Sequence, residues 1–188
     1  MIKTVFDEKL NLLNEIPAGA SIGIIACADC AAAFKTADTR RIEQVKKIFG
    51  GRNETLFTLS VNSPCDRRVL AQFAAAVRGF DKADCYIILA CEAGRRSAAE
   101  YIAQRRKSGE DFKIISPVKT VSYVSLDCSG VSYQACVFCG ECVRASSAAA
   151  ACPVAACPIN KKDGPCQSRA NDFCVIEGFE SRRCSWLY

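Results

Sequence analysis

The sequence predicts a doubly wound α/β domain with a mainly parallel sheet, followed by a small cysteine-rich C-terminal domain. Three observations lead there. Apolar, β-branched runs alternate with stretches of helical spacing over residues 1–127, the order from which parallel sheets are wound. That periodicity stops at Cys128. From Cys128 onward lie nine of the chain's 14 cysteines, in 188 residues that include no histidine. Half the residues are hydrophobic, enough for the first domain to bury a core without covalent staples.

The elements follow in order. An opening helix is expected over Asp7 to Glu15, carrying Leu10, Leu12 and Leu13 before Pro17. Ala20 to Ala26, Thr55 to Val61 and Ala83 to Ala90 are continuous apolar runs of the kind found in strands buried on both faces. Phe112 to Ser116 adds a fourth strand that ends at Pro117, and Val121 to Leu126 a short fifth. Between them, Thr39 to Phe49 sets Ile42, Val45, Ile48 and Phe49 on one helical stripe. Arg67 to Val77 does the same with Val69, Leu70, Phe73 and Val77, behind Asp66 as N-cap. Ser97 to Lys107 turns Tyr101 and Ile102 inward.

Composition excludes several kinds of chemistry. Without histidine there is no Ser-His or Cys-His nucleophile pair, no imidazole shuttle and no histidine-ligated metal. The formal charge of +5 comes largely from basic pairs on helical stretches, without interleaved aromatics for base stacking, so no nucleic-acid partner is expected. Seven residues, Ile22 to Ala28, make the longest clean apolar run, against the roughly 20 of a spanning helix, so no membrane association is expected. The acidic Asp7-Glu8 lies where a signal peptide would be apolar. A cytoplasmic protein is expected, where clustered thiols mean metal or redox chemistry.

Two groups of thiols carry the chemistry. Cys27 and Cys30 follow the first predicted strand, Cys65 follows the second, and Cys91 the third. In an open parallel sheet the loops at the strands' carboxyl ends meet along one edge, where ligands bind. Four thiols there suit a [4Fe–4S] cluster or a four-cysteine zinc site. Isolated buried cysteines, the competing explanation, would not recur at equivalent strand ends. Dispersed ligands favour iron–sulfur over zinc, while Cys85, inside a strand, is expected in the core. The second group is Cys136, Cys139, Cys142, Cys152, Cys157, Cys166, Cys174 and Cys184, eight thiols within 49 residues. Its C-x-x-C-x-x-C run with following Cys-Pro is the ferredoxin pattern. Two four-ligand sites, or one cluster with spare thiols, are open, and spacing does not group the ligands. With so little apolar periodicity, metal is expected to organise residues 128–188. Twelve cysteines make three sets of four; Cys85 and Cys128 are spare.

The ordered set resembles a known family. Cys27-x-x-Cys30, Ser63-Pro64-Cys65-Asp66, Leu89-Ala90-Cys91, Cys139-Gly140-Glu141-Cys142-Val143, Cys152-Pro153-Val154, Cys157, Gly164-Pro165-Cys166, Cys174 and Cys184-Ser185-Trp186 follow the MetV-type small subunit of bacterial methylenetetrahydrofolate reductase. That family is also described as the methylenetetrahydrofolate reductase C-terminal cysteine-rich domain. Ala31-Ala32-Ala33-Phe34 and Gln167-Ser168 stand where the family shows glycines. The resemblance implies iron–sulfur, with zinc a further candidate, and a flavin-containing MetF-type partner that interconverts 5,10-methylenetetrahydrofolate and 5-methyltetrahydrofolate. It also implies an electron-relaying subunit of an oxidoreductase complex, supplied by a ferredoxin or a dehydrogenase module. Two alternatives compete: a structural, zinc-organised subunit without a redox role, and an iron–sulfur protein serving a corrinoid methyl-transfer system. No catalytic residues are assigned, because Asp29, Asp66 and Glu92 lack a visible acid–base pairing.

Overall fold

The structure, a computed structural model, describes residues 1–106, 111–126, 132–138, 152–167 and 171–187. Its chain divides into two compact units, Ile2–Val121 and Met1 with Ser122–Tyr188.

The larger unit begins with β1 (Ile2–Phe6) and α1 (Leu12–Glu15). Then come β2 (Ile22–Cys27), α2 (Cys30–Ala33), α3 (Thr39–Phe49), β3 (Thr55–Val61), α4 (Arg67–Ala75), β4 (Cys85–Leu89), α5 (Glu92–Arg105) and β5 (Lys113–Ile115). Four strands form a parallel sheet in the order β3-β2-β4-β5. Winding reverses direction at β2, whose neighbours are β3 on one side and β4 on the other. Right-handed crossovers then send α3 to one face and α4 with α5 to the other. In agreement, α4 packs on α5 and α1 on α3. β2 and β4, buried along their whole length, form the middle of the core.

Two contacts fix how the central strands sit. Ser21, just before β2, and Asp84, just before β4, clasp each other. The Ser21 N–H and Oγ donate to Asp84 Oδ2 at 2.8 and 2.7 Å, and the Asp84 N–H donates to Ser21 Oγ at 3.0 Å. Above β2, the Phe57 ring lies where Gly23 has no side chain, and a Cβ there would come within 2.4 Å of it. Phe57 stacks on Phe80 at 5.3 Å, and the buried Tyr86 hydroxyl donates to Phe80 O at 2.7 Å. Cys85 is part of this core, as its place inside a strand implied.

Sequence and structure part in several places; α5, for one, begins at Glu92, five residues before the start expected at Ser97. The N-terminal helix shrinks to the single turn of α1, because Asn11 caps it by accepting from the Leu13 N–H, while Asp7 N–H donates to Pro117 O. The residues before it form the strand β1, which local pattern did not reveal. Ile48 and Phe73, assigned to inward stripes, are 41% and 43% exposed; α3 buries Ile42, Val45 and Phe49, and α4 Leu70 and Ala74. Finally, the predicted fifth strand does not extend the parallel sheet. It is part of the longer β6 (Val118–Leu126), in a separate sheet of order β1-β6-β7, where β7 (Ser132–Cys136) runs antiparallel to β6. Pro117, which lacks an N–H, stands between β5 and β6 and separates the two sheets' strands.

In the smaller unit β7 is followed by α6 (Pro153–Ala156) and, near the end, a 3-10 turn over Ser185–Leu187. Gln134 Nε2 donates to Asn160 Oδ1 at 3.2 Å, and Ser185 Oγ donates to Pro153 O at 2.9 Å. An isolated antiparallel bridge joins Phe173 to Arg183. No helix among the described residues is long and apolar enough to cross a membrane.

Candidate metal centres

The carboxyl ends of β2, β3 and β4 carry the first group of thiols. Cys27 is the last residue of β2, in register with Val61, the last of β3. Cys30 opens α2, whose Ala31 is fully buried; alanines thus build a helical turn where the resembling family has glycines. Cys65 lies in the turn between β3 and α4, and Cys91 is the N-cap of α5. Cys27 and Cys91 are 5% and 7% exposed, Cys30 is half-buried and Cys65 exposed.

Several devices hold these loops together. Ser63 adopts φ of 50°, a left-handed conformation, and its carbonyl accepts from the Asp66 N–H at 2.9 Å. Its hydroxyl donates to Asp29 Oδ2 at 2.6 Å, which ties the Cys65 turn to the Cys27–Cys30 loop. Asp66 caps α4 by accepting from the Arg68 N–H at 2.9 Å, and the Arg68 guanidinium lowers its carboxyl to about 2. Thr120 Oγ1 accepts from the Glu92 N–H at 2.8 Å at the start of α5. Gly94 lets the Cys65 turn close on that helix: a Cβ there would lie 2.9 Å from Ala90 Cβ and 3.3 Å from Pro64 Cγ. Of these supporting groups the sequence marked Asp66, as the N-cap of α4; Ser63, Thr120 and Gly94 act through contacts that the spacing of cysteines does not reveal.

The electrostatics show that the thiols sense one another. Burial first, then the neighbouring Cys91 and Cys30, push the Cys65 thiol above its ordinary value. Burial also raises Cys27, against the lowering effect of backbone N–H groups of Ala31 and Asp29. Cys27 and Cys65 are thereby held toward the neutral thiol, a bias that a bound cation would reverse. The positive N-terminal ends of α4 and α5 favour negative charge beside Cys65 and Cys91. An all-sulfur donor set beside helix N-termini fits a thiolate-bound metal group in its chemistry. Among the described residues, however, no three cysteine or acidic side chains stand close enough together to hold a single metal ion.

In the smaller unit, Cys136 ends β7, and its Sγ accepts from the Phe138 N–H at 3.3 Å. Phe138 takes φ of 55°, in the left-handed region. Cys139 and Cys142 themselves lie outside the described residues. Cys152 and Cys157 are the two caps of α6, with Pro153 at its first position, where a missing N–H costs nothing. The Cys174 N–H donates to Arg182 O at 2.9 Å and the Cys184 N–H to Asp172 O at 2.8 Å, around the Phe173–Arg183 bridge. Cys157, Cys166, Cys174 and Cys184 share the wall of one cleft, with Trp186 beside them.

The protein is thus an α/β chain with thiols along one sheet edge and a second unit rich in thiols. Residues 116–188 match the family model described as methylene-tetrahydrofolate reductase C terminal. That segment is less than half of the chain, and over it the chain is similar to this C-terminal family, in line with the resemblance. No curated protein and no solved structure gives a significant match to it.

Proposed function

We propose that the chain is an accessory, electron-transferring subunit of a methylenetetrahydrofolate reductase. It would hold iron–sulfur clusters, with zinc a candidate at any one thiol site, and serve a flavin-containing MetF-type catalytic subunit. The observation that carries this reading is the family match over residues 116–188, on a chain whose remaining strand-end thiols face one sheet edge. A [4Fe–4S] cluster, when bound, supplies one-electron chemistry that side chains lack. Cys27, Cys30, Cys65 and Cys91 are the residues to hold one such group. Their loops are braced by the Ser63–Asp29 hydrogen bond and by the close approach at Gly94, and binding would still have to draw the four thiols together. The N-terminal ends of α4 and α5 would offset the group's negative charge.

The test is anaerobic co-expression with a MetF-type flavoprotein, followed by metal and sulfide analysis. The expected result is a stable complex in which the chain retains iron and sulfide and exchanges electrons with the flavin. Less than about one [4Fe–4S] cluster per chain after reconstitution would overturn the relay reading. Zinc at every site, without visible absorbance, would make the chain a structural subunit instead. Capture of a corrinoid protein in place of the flavoprotein would assign it to another methyl-transfer system.

A further inference from the structure

The outer edge of β3 leaves main-chain groups without partners. The Ile22 N–H donates to Glu54 O at 2.8 Å and the Ala28 N–H to Val61 O at 2.9 Å, with Ile24 in register with Thr58 and Ala26 with Ser60. This ladder turns the N–H and C=O of Phe57, Leu59 and Val61 toward β2, and those of Leu56, Thr58 and Ser60 away from it. No described strand lies on that outer side, and Thr58 and Ser60 are exposed. Sheet edges are ordinarily guarded by shortness, charge or proline. The opposite edge has all three: β5 is three residues long, starts on Lys113 and is followed by Pro117. The seven residues of β3, Thr55–Val61, include neither a charge nor a proline.

A second observation points to the same edge. Phe73 of α4 is 43% exposed although its helical spacing predicts burial. Arg67 marks the flank of α4 that faces α5, where it pairs with Glu100 at 2.9 Å. At about 100° per residue, the fully buried Leu70 comes next around the helix, and Phe73 lies beyond it on the far flank. Because α4 packs on both α5 and β3, the flank away from α5 is the one beside the β3 edge.

We propose that the β3 edge seats a second copy of this chain, paired antiparallel across a two-fold axis at Thr58. That centre is the one that uses every outward residue. Thr58 meets its own counterpart, Leu56 meets Ser60 of the other copy, and each pair exchanges two main-chain hydrogen bonds. Threonine opposite threonine is a favourable cross-strand pair, and an uncharged strand meets itself without repulsion. The axis stands perpendicular to the joined sheet, so both α4 helices lie on one side of it and turn their Phe73 flanks toward each other. One symmetric contact thus satisfies the edge and covers the exposed ring. The proposal does not depend on any metal or on the reductase reading.

The experiment is sedimentation equilibrium of the full chain over a range of concentrations, under anaerobic, reducing conditions so that no disulfide joins the copies. A monomer–dimer equilibrium is expected. Thr58→Lys opposes two like charges at the axis, and Phe73→Lys charges both flanks; each is expected to raise the dimer Kd about tenfold or more. Thr58→Pro removes an N–H that β2 does not use, and is expected to block pairing while the chain stays folded. Amide exchange of the wild-type chain decides if the variants do not fold: Leu56, Thr58 and Ser60 should slow as concentration rises, while Phe57 and Leu59, bonded to β2, should not. A wild-type chain that stays monomeric, a dimer whose Kd no folded variant changes, or exchange at those three residues that ignores concentration overturns the proposal. Protection of the edge only when a flavoprotein is added would give it to that partner and overturn self-pairing.

Discussion

Gly94 lies one turn into α5, pressed between Ala90 and the Pro64–Cys65 turn, and it shows how a single atom can govern a thiol-bearing loop. Two effects oppose each other in Gly94→Ala. Helix propensity gains about 1 kcal/mol, while forcing a methyl into a packed contact costs about 1–3 kcal/mol. Because the contact at 2.9 Å is to the Cβ of fully buried Ala90, which cannot swing aside, the steric cost wins. Gly94→Ala is expected to lower stability by about 1 kcal/mol, read from the urea midpoint, and to speed alkylation of Cys65 in the metal-free chain. An unchanged alkylation rate would show that the turn does not lean on α5. At this scale the places of the strand-end thiols were legible, since each falls at the end of a strand or in the turn after it. The burial of the Trp186 N–H was not, although it is the chain's single tryptophan.

At the scale of elements, α3 and β3 match their predicted limits, Thr39–Phe49 and Thr55–Val61. For α3 the reason is local: Asp38 caps it by accepting from the Arg41 N–H at 2.9 Å, and Gly50 follows its last residue. For β2 and β4, burial on both faces leaves an unbroken apolar run that a sequence cannot hide, whereas β3, expected to be buried likewise, lies at the sheet's edge and alternates buried with exposed residues. β1 escaped because a five-residue strand with an exposed lysine is stabilised by a partner strand more than a hundred residues away. The Ser21–Asp84 clasp at the start of the two central strands yields a pH-dependent prediction. Hydrogen bonds from the Ser21 N–H and hydroxyl hold the Asp84 carboxyl below its ordinary 3.8. A lowered native value means that this stabilisation is complete above the unfolded value and is lost as pH falls through the native one. Asp84→Ala is therefore expected to cost about 1 kcal/mol at neutral pH. The gap to wild type should narrow below about pH 4 in thermal melts taken from pH 7 to 3; a constant gap would mean that the carboxylate charge is irrelevant.

For the whole molecule, the +5 of the amino-acid composition changes if the thiols are filled. Twelve bound thiolates and three metal groups would bring the net charge to about −1, so loading should lower the isoelectric point and reverse native electrophoretic migration near neutral pH. Unchanged migration on reconstitution would mean that few thiols are ligands. The sequence by itself determined the chemistry available: no histidine, 14 thiols, strand-then-helix order in the first part and none in the second. These are properties of residue type and short-range period, which survive without coordinates. Only the tertiary structure decided that Val118–Leu126 leaves the parallel sheet, that Gly94 and Ser63 shape the Cys65 turn, and that Cys157, Cys166, Cys174 and Cys184 share one cleft with Trp186. Each of these depends on contacts between residues far apart in the chain or on turn geometry, and neither leaves a period for a sequence to display.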